Sequence, residues 1–383
     1  MATIQDPIIP VIARLVRQHP GTLSLGQGVV HYGPPRAALD AVRRFGDLPE
    51  EHLYGPVQGQ PELLEEIARK LAADNKVMLG SGQSLMVTAG SNMAFLNAIL
   101  AIADPGDEIL LPLPWYFNQE MAIRMIGCIP VGVPTDDRYQ LELDALRAAI
   151  TPRTRAIVTV SPNNPTGAVY PESDLRAVNA LCSEHGLYHI SDEAYEYFVW
   201  DAARHFSPAS IEGAEAHTIA LYSLSKAYGF ASWRIGYMVV PQHLTGAVLK
   251  VQDANLICAP RISQVAATAA MRIGKPYCDE RHPVIARVRE CVLDELKAMR
   301  SFCQLPEASG AFYTFLEVDT RLDSQTVAER LIREHGVAVI PGNAFGVERG
   351  CLLRIAYGAL LPASAEAALR RLNAGLTTIV RER

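Results

Sequence analysis

The stretch LMVTAGSNMAFLNAILAIADPGDEILLPLPWYF, residues 85–117, limits what this chain can fold into more than any other. It runs from an apolar strand through a glycine turn into a long apolar helix, then through a DPGD turn into a second apolar strand. Such βαβ units build parallel sheets whose strands are covered on both faces and so read as unbroken apolar runs. Three more runs end in polar or ionisable residues: RAIVTVSPNNPTGAVY, LYHISDEAYEYF and TIALYSLSK. In open α/β sheets, ligands bind outside the carboxyl ends of the strands. The chemistry of this chain is therefore sought where these runs stop.

Lys226 ends the last run, preceded by Ser223 and Ser225 and followed by Arg234 just before the apolar IGYMVV. Hydroxyls and a guanidinium bind phosphate through charge-assisted hydrogen bonds. A lysine in a partly dry pocket loses its proton more readily and becomes a nucleophile toward aldehydes. An aldehyde cofactor that carries a phosphate needs both, and pyridoxal 5'-phosphate is such a molecule. In the AGSNMA turn, Gly90, Ser91 and Asn92 stand at a helix N-terminus, where free amides and the helix dipole attract phosphate. The same turn also reads as an ordinary helix cap by Ser91 or Asn92. Trp115 and Tyr116 fall at a strand's carboxyl end, as packing residues or as ring partners for a ligand. Asp192, closing an apolar strand, needs a partner if it is buried, and the protonated pyridine nitrogen of such a cofactor offers one.

Taken in order, Tyr54, AGSN, SPNNPTG, SDEAY, SLSK with its following arginine, and LLRIAYG make the chain resemble the class I/II aminotransferases. These are pyridoxal-phosphate enzymes of fold type I, in the aspartate aminotransferase superfamily, whose pattern around the Schiff-base lysine is S-x-S-K-x-[FY] followed by R-x-G. Ser223, Ser225, Lys226, Tyr228, Arg234 and Gly236 occupy those positions. The resemblance implies an α/β fold: a large domain with a mainly parallel seven-stranded sheet sandwiched by helices, and a small α+β domain. It implies an N-terminal segment over 1–48 packed with the small domain, a cofactor-binding domain over 49–285 and the small domain over 286–383.

The resemblance also assigns roles. Lys226 is the catalytic amine, Asp192 the partner of the ring nitrogen, and Asn164 and Tyr195 the donors to the ring hydroxyl oxygen. Tyr116 stacks on the ring, while Gly90, Ser91, Asn92, Ser223, Ser225 and Arg234 hold the phosphate. Gly28, Asn164 and Arg354 face the substrate, with Arg354 gripping the α-carboxylate. Tyr54 reaches the cofactor phosphate of the other subunit in a homodimer with shared sites. The Asn164–Pro165 bond is expected to be cis, because X–Pro bonds tolerate that form in tight turns. The implied activity is a ping-pong transfer of an amino group from an L-amino acid to a 2-oxo acid. A carbon–sulfur β-lyase on the same scaffold is the alternative, since α-deprotonation is common to both. In some dicarboxylate-specific relatives, an arginine of the partner subunit, from the break around CAP, residues 258–260, grips the distal carboxylate. Asp253 and Asn255 lie near that break and Arg261 just beyond Pro260; with none of them placed at the position, a neutral side chain on the donor is the expectation.

Charge and cysteine content exclude other classes. A net charge of −6 lacks the basic excess of a nucleic-acid or anionic-membrane binder. No apolar run approaches the roughly 18–20 residues of a membrane span. Seven scattered cysteines without a CxxC pair fit reduced thiols in a cytoplasm and offer no metal site. The start, MATIQDPIIPVIARLV, lacks the features of a signal peptide. A cofactor-sensing transcriptional regulator needs a DNA-binding module, and the residues before Tyr54 hold no basic helix-turn-helix.

Overall fold

The computed structural model describes residues 4–382. Helix α1 (Ile8–Gln18) and the two-residue strand β1 (Leu23–Ser24) come first, followed by helices α2 (Arg36–Val42) and α3 (Pro61–Lys70). The large sheet takes its strands from the middle of the chain: β2 (Gln83–Thr88), β3 (Glu108–Pro112), β4 (Ile129–Val133), β5 (Thr154–Val160), β6 (Tyr188–Asp192), β7 (Thr218–Ser223) and β8 (Gly236–Pro241). Their order is β2-β8-β7-β6-β5-β3-β4. Only β8 runs antiparallel to its neighbours, β2 and β7. Helix α4 (Ser91–Ile102) connects β2 to β3.

The apolar runs form strands because helices cover both faces. Along β7 and β8 successive side chains alternate between two cores, as the period of a strand requires. Ile219, Leu221, Met238 and Val240 join one core, and Ala220, Tyr222, Tyr237 and Val239 the other. All of these residues are buried. The helices carry local start and stop signals: Pro61 opens α3 at its first turn. Gly186, at φ +66°, closes the helix Glu172–His185.

The C-terminal part contributes β9 (Cys303–Gln304), β10 (Tyr313–Val318), β11 (Val337–Ala338), β12 (Ile340–Pro341) and β13 (Cys351–Ala356). Four of them form a sheet in the order β12-β13-β10-β9, while β11 pairs in parallel with β1. Helices His282–Ala298, Ser324–His335 and Pro362–Arg381 pack against this unit around a core that includes Phe312, Leu316, Leu353 and Leu372. Of the N-terminal segment, α1 packs on β12 and on the helix Ser324–His335, and β1 on β11. Helix α2 instead packs on Arg261–Ile273, a helix of the large unit. Among the described residues, no helix is long and apolar enough to cross a membrane.

Candidate active site

Strands β5, β6 and β7 are parallel neighbours, so their carboxyl ends lie side by side. This places the loop after β5, with Asn164, beside Asp192 at the end of β6 and Lys226 just beyond β7. Two adjoining cavities meet there. The inner one is lined by Ser91, Asn92, Tyr116, Asn164, Asp192, Tyr195, Ser223, Ser225, Lys226 and Arg234. The outer one encloses about 440 Å³ and shares Tyr116, Asn164, Tyr195 and Lys226. Gly28 and Arg354 also line it.

Lys226 sits in the short helix Leu224–Ala227, where the Ser223 hydroxyl caps the turn by accepting from the Ser225 N–H at 3.1 Å. Its amine donates to the Gly28 carbonyl and lies 6.0 Å from the centre of the Tyr195 ring. Burial lowers its pKa to about 8, helped by the positive charges of Arg354 and Arg234 and opposed by Asp192. Asp192 moves the other way. Burial raises its pKa to about 6, although the Ala194 N–H and the Gln119 side chain both donate to its carboxylate. The Gln119 bond measures 2.8 Å.

On the far side of Lys226, Arg234 adopts a left-handed backbone at φ +55°. Its guanidinium donates to the carbonyl of Ala231 at 2.9 Å and reaches the Ser225 hydroxyl at 3.5 Å. Gly90, at φ +86°, precedes α4, and a Cβ there would stand 2.4 Å from the Arg234 Nη2. Only glycine lets the guanidinium lie against the start of that helix. The first N–H groups of α4 have no acceptor within the helix, so amides, two serine hydroxyls and a guanidinium converge on one spot.

Arg354 marks the opposite end. Only 2% exposed on β13, it donates to Asn164 Oδ1 at 2.9 Å and to the Gly26 carbonyl at 2.7 Å, while among the described residues its Nε has no partner. The guanidinium lies 4.8 Å from the centre of the Tyr313 ring and 5.3 Å from that of Phe345. The Asn164 amide reaches the Tyr195 hydroxyl at 3.4 Å, and the Asn164–Pro165 bond is cis. Gly28 leaves room for the Tyr313 hydroxyl, which would lie 2.3 Å from a Cβ.

The structure thus brings together every site residue expected from the sequence except Tyr54. That tyrosine is 79% exposed and lines neither cavity. Two residues went unnoticed in the sequence: Gln119, which holds Asp192, and Tyr313, whose hydroxyl lies 2.7 Å from that of Tyr195. Tyr313 pairs with Ala356 across β10 and β13, which sets it two residues from the partner of Arg354. Neither carried a signal in the sequence beyond its type.

The sequence profile described as Aminotransferase class I and II matches residues 20–372. An aromatic aminotransferase of Arabidopsis thaliana is 33% identical over 98% of this chain and 94% of its own length. An aspartate aminotransferase of Pyrococcus abyssi is 34% identical over 88% of this chain and 87% of its own length. Among solved structures, a single mutant of Thermus thermophilus aspartate aminotransferase superposes with a TM-score of 0.89 at 30% identity, covering 98% of both chains. The likeness spans nearly the whole chain and its fold: this chain belongs to the class I and II aminotransferase family.

Proposed function

We propose that the two cavities form one catalytic centre for pyridoxal 5'-phosphate and an amino acid, with Lys226 as the amine that serves both. The observation that carries this reading is the position of Lys226. Its amine has its pKa lowered by burial and stands between a cluster of anion donors and a buried arginine.

The residues present fit the cofactor. Gly90 leaves space beside Arg234 that a Cβ would fill, and Ser91, Asn92, Ser223 and Ser225 complete a nest for a phosphate dianion. Asp192 would hold the proton of a ring nitrogen, Asn164 and Tyr195 would donate to a ring oxygen, and Tyr116 would cover the ring. Bound there, the cofactor supplies an electron sink that makes the substrate Cα–H acidic.

The remaining steps belong to the protein. Arg354 grips the α-carboxylate with a planar fork of N–H groups and so fixes how the Cα–H bond is presented. With a pKa of about 8, Lys226 is partly neutral near physiological pH, which suits a group that takes a proton from Cα and returns it elsewhere. Two such half-reactions at one site pass the amino group from an L-amino acid to a 2-oxo acid.

The partner subunit's Tyr54 completes the phosphate site in this reading. The exposure of that tyrosine, together with its not lining its own chain's cavities, supports a homodimer. Seven free thiols are compatible with a reducing cytoplasm.

Mixing the yellow holoenzyme with an amino acid, in the absence of any 2-oxo acid, tests the reading. It should lose its visible absorbance and release one equivalent of 2-oxo acid. Repeated turnover with release of ammonia would show a lyase instead.

A further inference from the structure

The sequence DEAYE, residues 192–196, turns two faces to the molecule. Asp192 and Tyr195 line the inner cavity, whereas Glu193 and Glu196 do not line it and are buried behind it. The Glu196 N–H donates to the Glu193 carbonyl at 3.0 Å and the Phe198 N–H to that of Tyr195 at 2.8 Å, so the segment is a tight turn. Such a turn fixes its own shape, not its place in the molecule.

The two glutamates anchor it. Glu193 accepts from the Ser207 hydroxyl at 2.9 Å and lies 2.8 Å from His205 Nε2. Glu196 accepts from the Lys70 ammonium and from the Asn75 amide, the latter at 2.8 Å. Lys70 also donates to Asn75 Oδ1 at 2.7 Å, and its ammonium lies 5.1 and 5.0 Å from the ring centres of Tyr197 and Tyr222. Oxygens of both carboxylates and a ring nitrogen of His205 lie within 4.8 Å of one another. Buried acids this close require a cation, and Lys70 brings one.

Backbone geometry explains how Lys70 and Asn75 reach a single carboxylate. Residues five apart on an α-helix point about 140° away from each other. Helix α3 ends at Lys70, and a π-helical turn over Leu71–Asn75 follows, in which the Lys76 N–H donates to the Leu71 carbonyl five residues back. That wider turn brings side chains at i and i+5 to one side, and single π turns of this kind recur at functional sites. The Tyr197 hydroxyl donates to Asp74 of the same turn, so both residues that follow Tyr195 are held there.

We propose that Lys70 and Asn75 are positioning residues for the reaction: by gripping Glu196 from behind, they set the turn that presents Tyr195 to the cofactor oxygen. The inference rests on the proposed function and deepens it. Neither residue lines either cavity. Their effect reaches the site through one covalent step, from Glu196 to Tyr195, whose hydroxyl meets both Asn164 and Tyr313.

Removing Lys70 alone would leave a buried carboxylate unpaired, and the fold could fail for that reason. The test therefore uses the double variant Lys70→Met/Glu196→Leu, which replaces the pair by apolar groups, beside Asn75→Leu and Tyr195→Phe. Three quantities are read: the pH midpoint of the absorbance change of bound pyridoxal phosphate, kcat and KM with phenylalanine and with aspartate, and hydrogen exchange over residues 192–198 of the apoenzyme. The double variant should move the midpoint upward, in the direction of Tyr195→Phe. It should lower kcat by at least about fivefold with KM within about twofold, and speed exchange over 192–198 by at least about tenfold. Asn75→Leu keeps the ion pair and should show a smaller shift of the same sign; if the double variant does not fold, this midpoint decides. Wild-type midpoints in both, beside a Tyr195→Phe that shifts, overturn the inference and leave the aminotransferase function standing. No shift in Tyr195→Phe itself removes Tyr195 from the cofactor and overturns that assignment along with the inference.

Discussion

The hydroxyls of Tyr195 and Tyr313 lie 2.7 Å apart, joining the loop after β6 to strand β10 across the join between the two units. Burial raises both phenols: Tyr313 to about 12, and Tyr195 well above its ordinary value. Both therefore stay protonated and act as hydrogen-bond donors and acceptors. If Tyr195 donates to a cofactor oxygen, its own oxygen accepts from Tyr313, and the pair orients a single proton.

Tyr313→Phe removes that orientation while keeping the ring beneath Arg354. The variant should hold its cofactor, but the absorbance change of the bound cofactor with pH should move upward, because the ring oxygen loses support as an anion. Turnover should fall by about tenfold. A spectral titration identical to the wild type would show that the tyrosine pair is packing only.

Arg354→Lys keeps a positive charge but loses the planar fork, and a lysine cannot reach Asn164, the Gly26 carbonyl and a substrate carboxylate together. The prediction is a fall in kcat/KM of roughly a hundredfold, mostly through KM, with cofactor affinity unchanged. Steady-state kinetics and a cofactor titration separate the two effects. A loss carried by kcat alone would move Arg354 from binding to chemistry.

Gly90→Ala places a Cβ against Arg234 and forces an L side chain into a left-handed backbone. The expected result is a folded protein whose apo form takes up pyridoxal phosphate at least about tenfold more weakly. Unchanged affinity would separate Arg234 from the phosphate.

Lys226 in the apoenzyme has a folded pKa of about 8 against an ordinary value of 10.5, so the unfolded chain holds more protons over that interval. Its contribution to stability therefore rises as pH increases from about 8 to 10.5, and below about 8 the buried charge destabilises the fold in full. Lys226→Met should raise the apoenzyme's Tm by a few degrees near pH 7, with the gain fading toward pH 10.5, and should abolish transamination. Calorimetry at several pH values checks the slope. A lower Tm in the variant near pH 7 would contradict the assigned charge penalty.

Lys226, Asp192 and Asn164 were legible in the sequence because each follows an apolar run that can only be a buried strand, and a polar residue at such an end is conspicuous. Arg354, inside the run LLRIAYG and not at its end, stood out only through the family resemblance. Tyr313 stood out less, since a tyrosine inside GAFYTFLEV is what a packed strand contains anyway. Only the pairing of β10 with β13 sets it near Arg354. Gln119 follows Tyr116 by three residues in a helix, where an amide ordinarily reads as a solvated surface group.

Arg354 is tied to Gly26 and Asn164, partners 328 and 190 positions away along the chain, and Lys226 to Gly28 across 198. Contacts of such span close late, after the local elements have formed and the loop entropy has been overcome. In the proposed reading, the residues of this chain that would hold the phosphate all lie before position 235, whereas Arg354, which would hold the carboxylate, is made more than a hundred residues later. The two halves of the proposed site would therefore be completed at different points of synthesis.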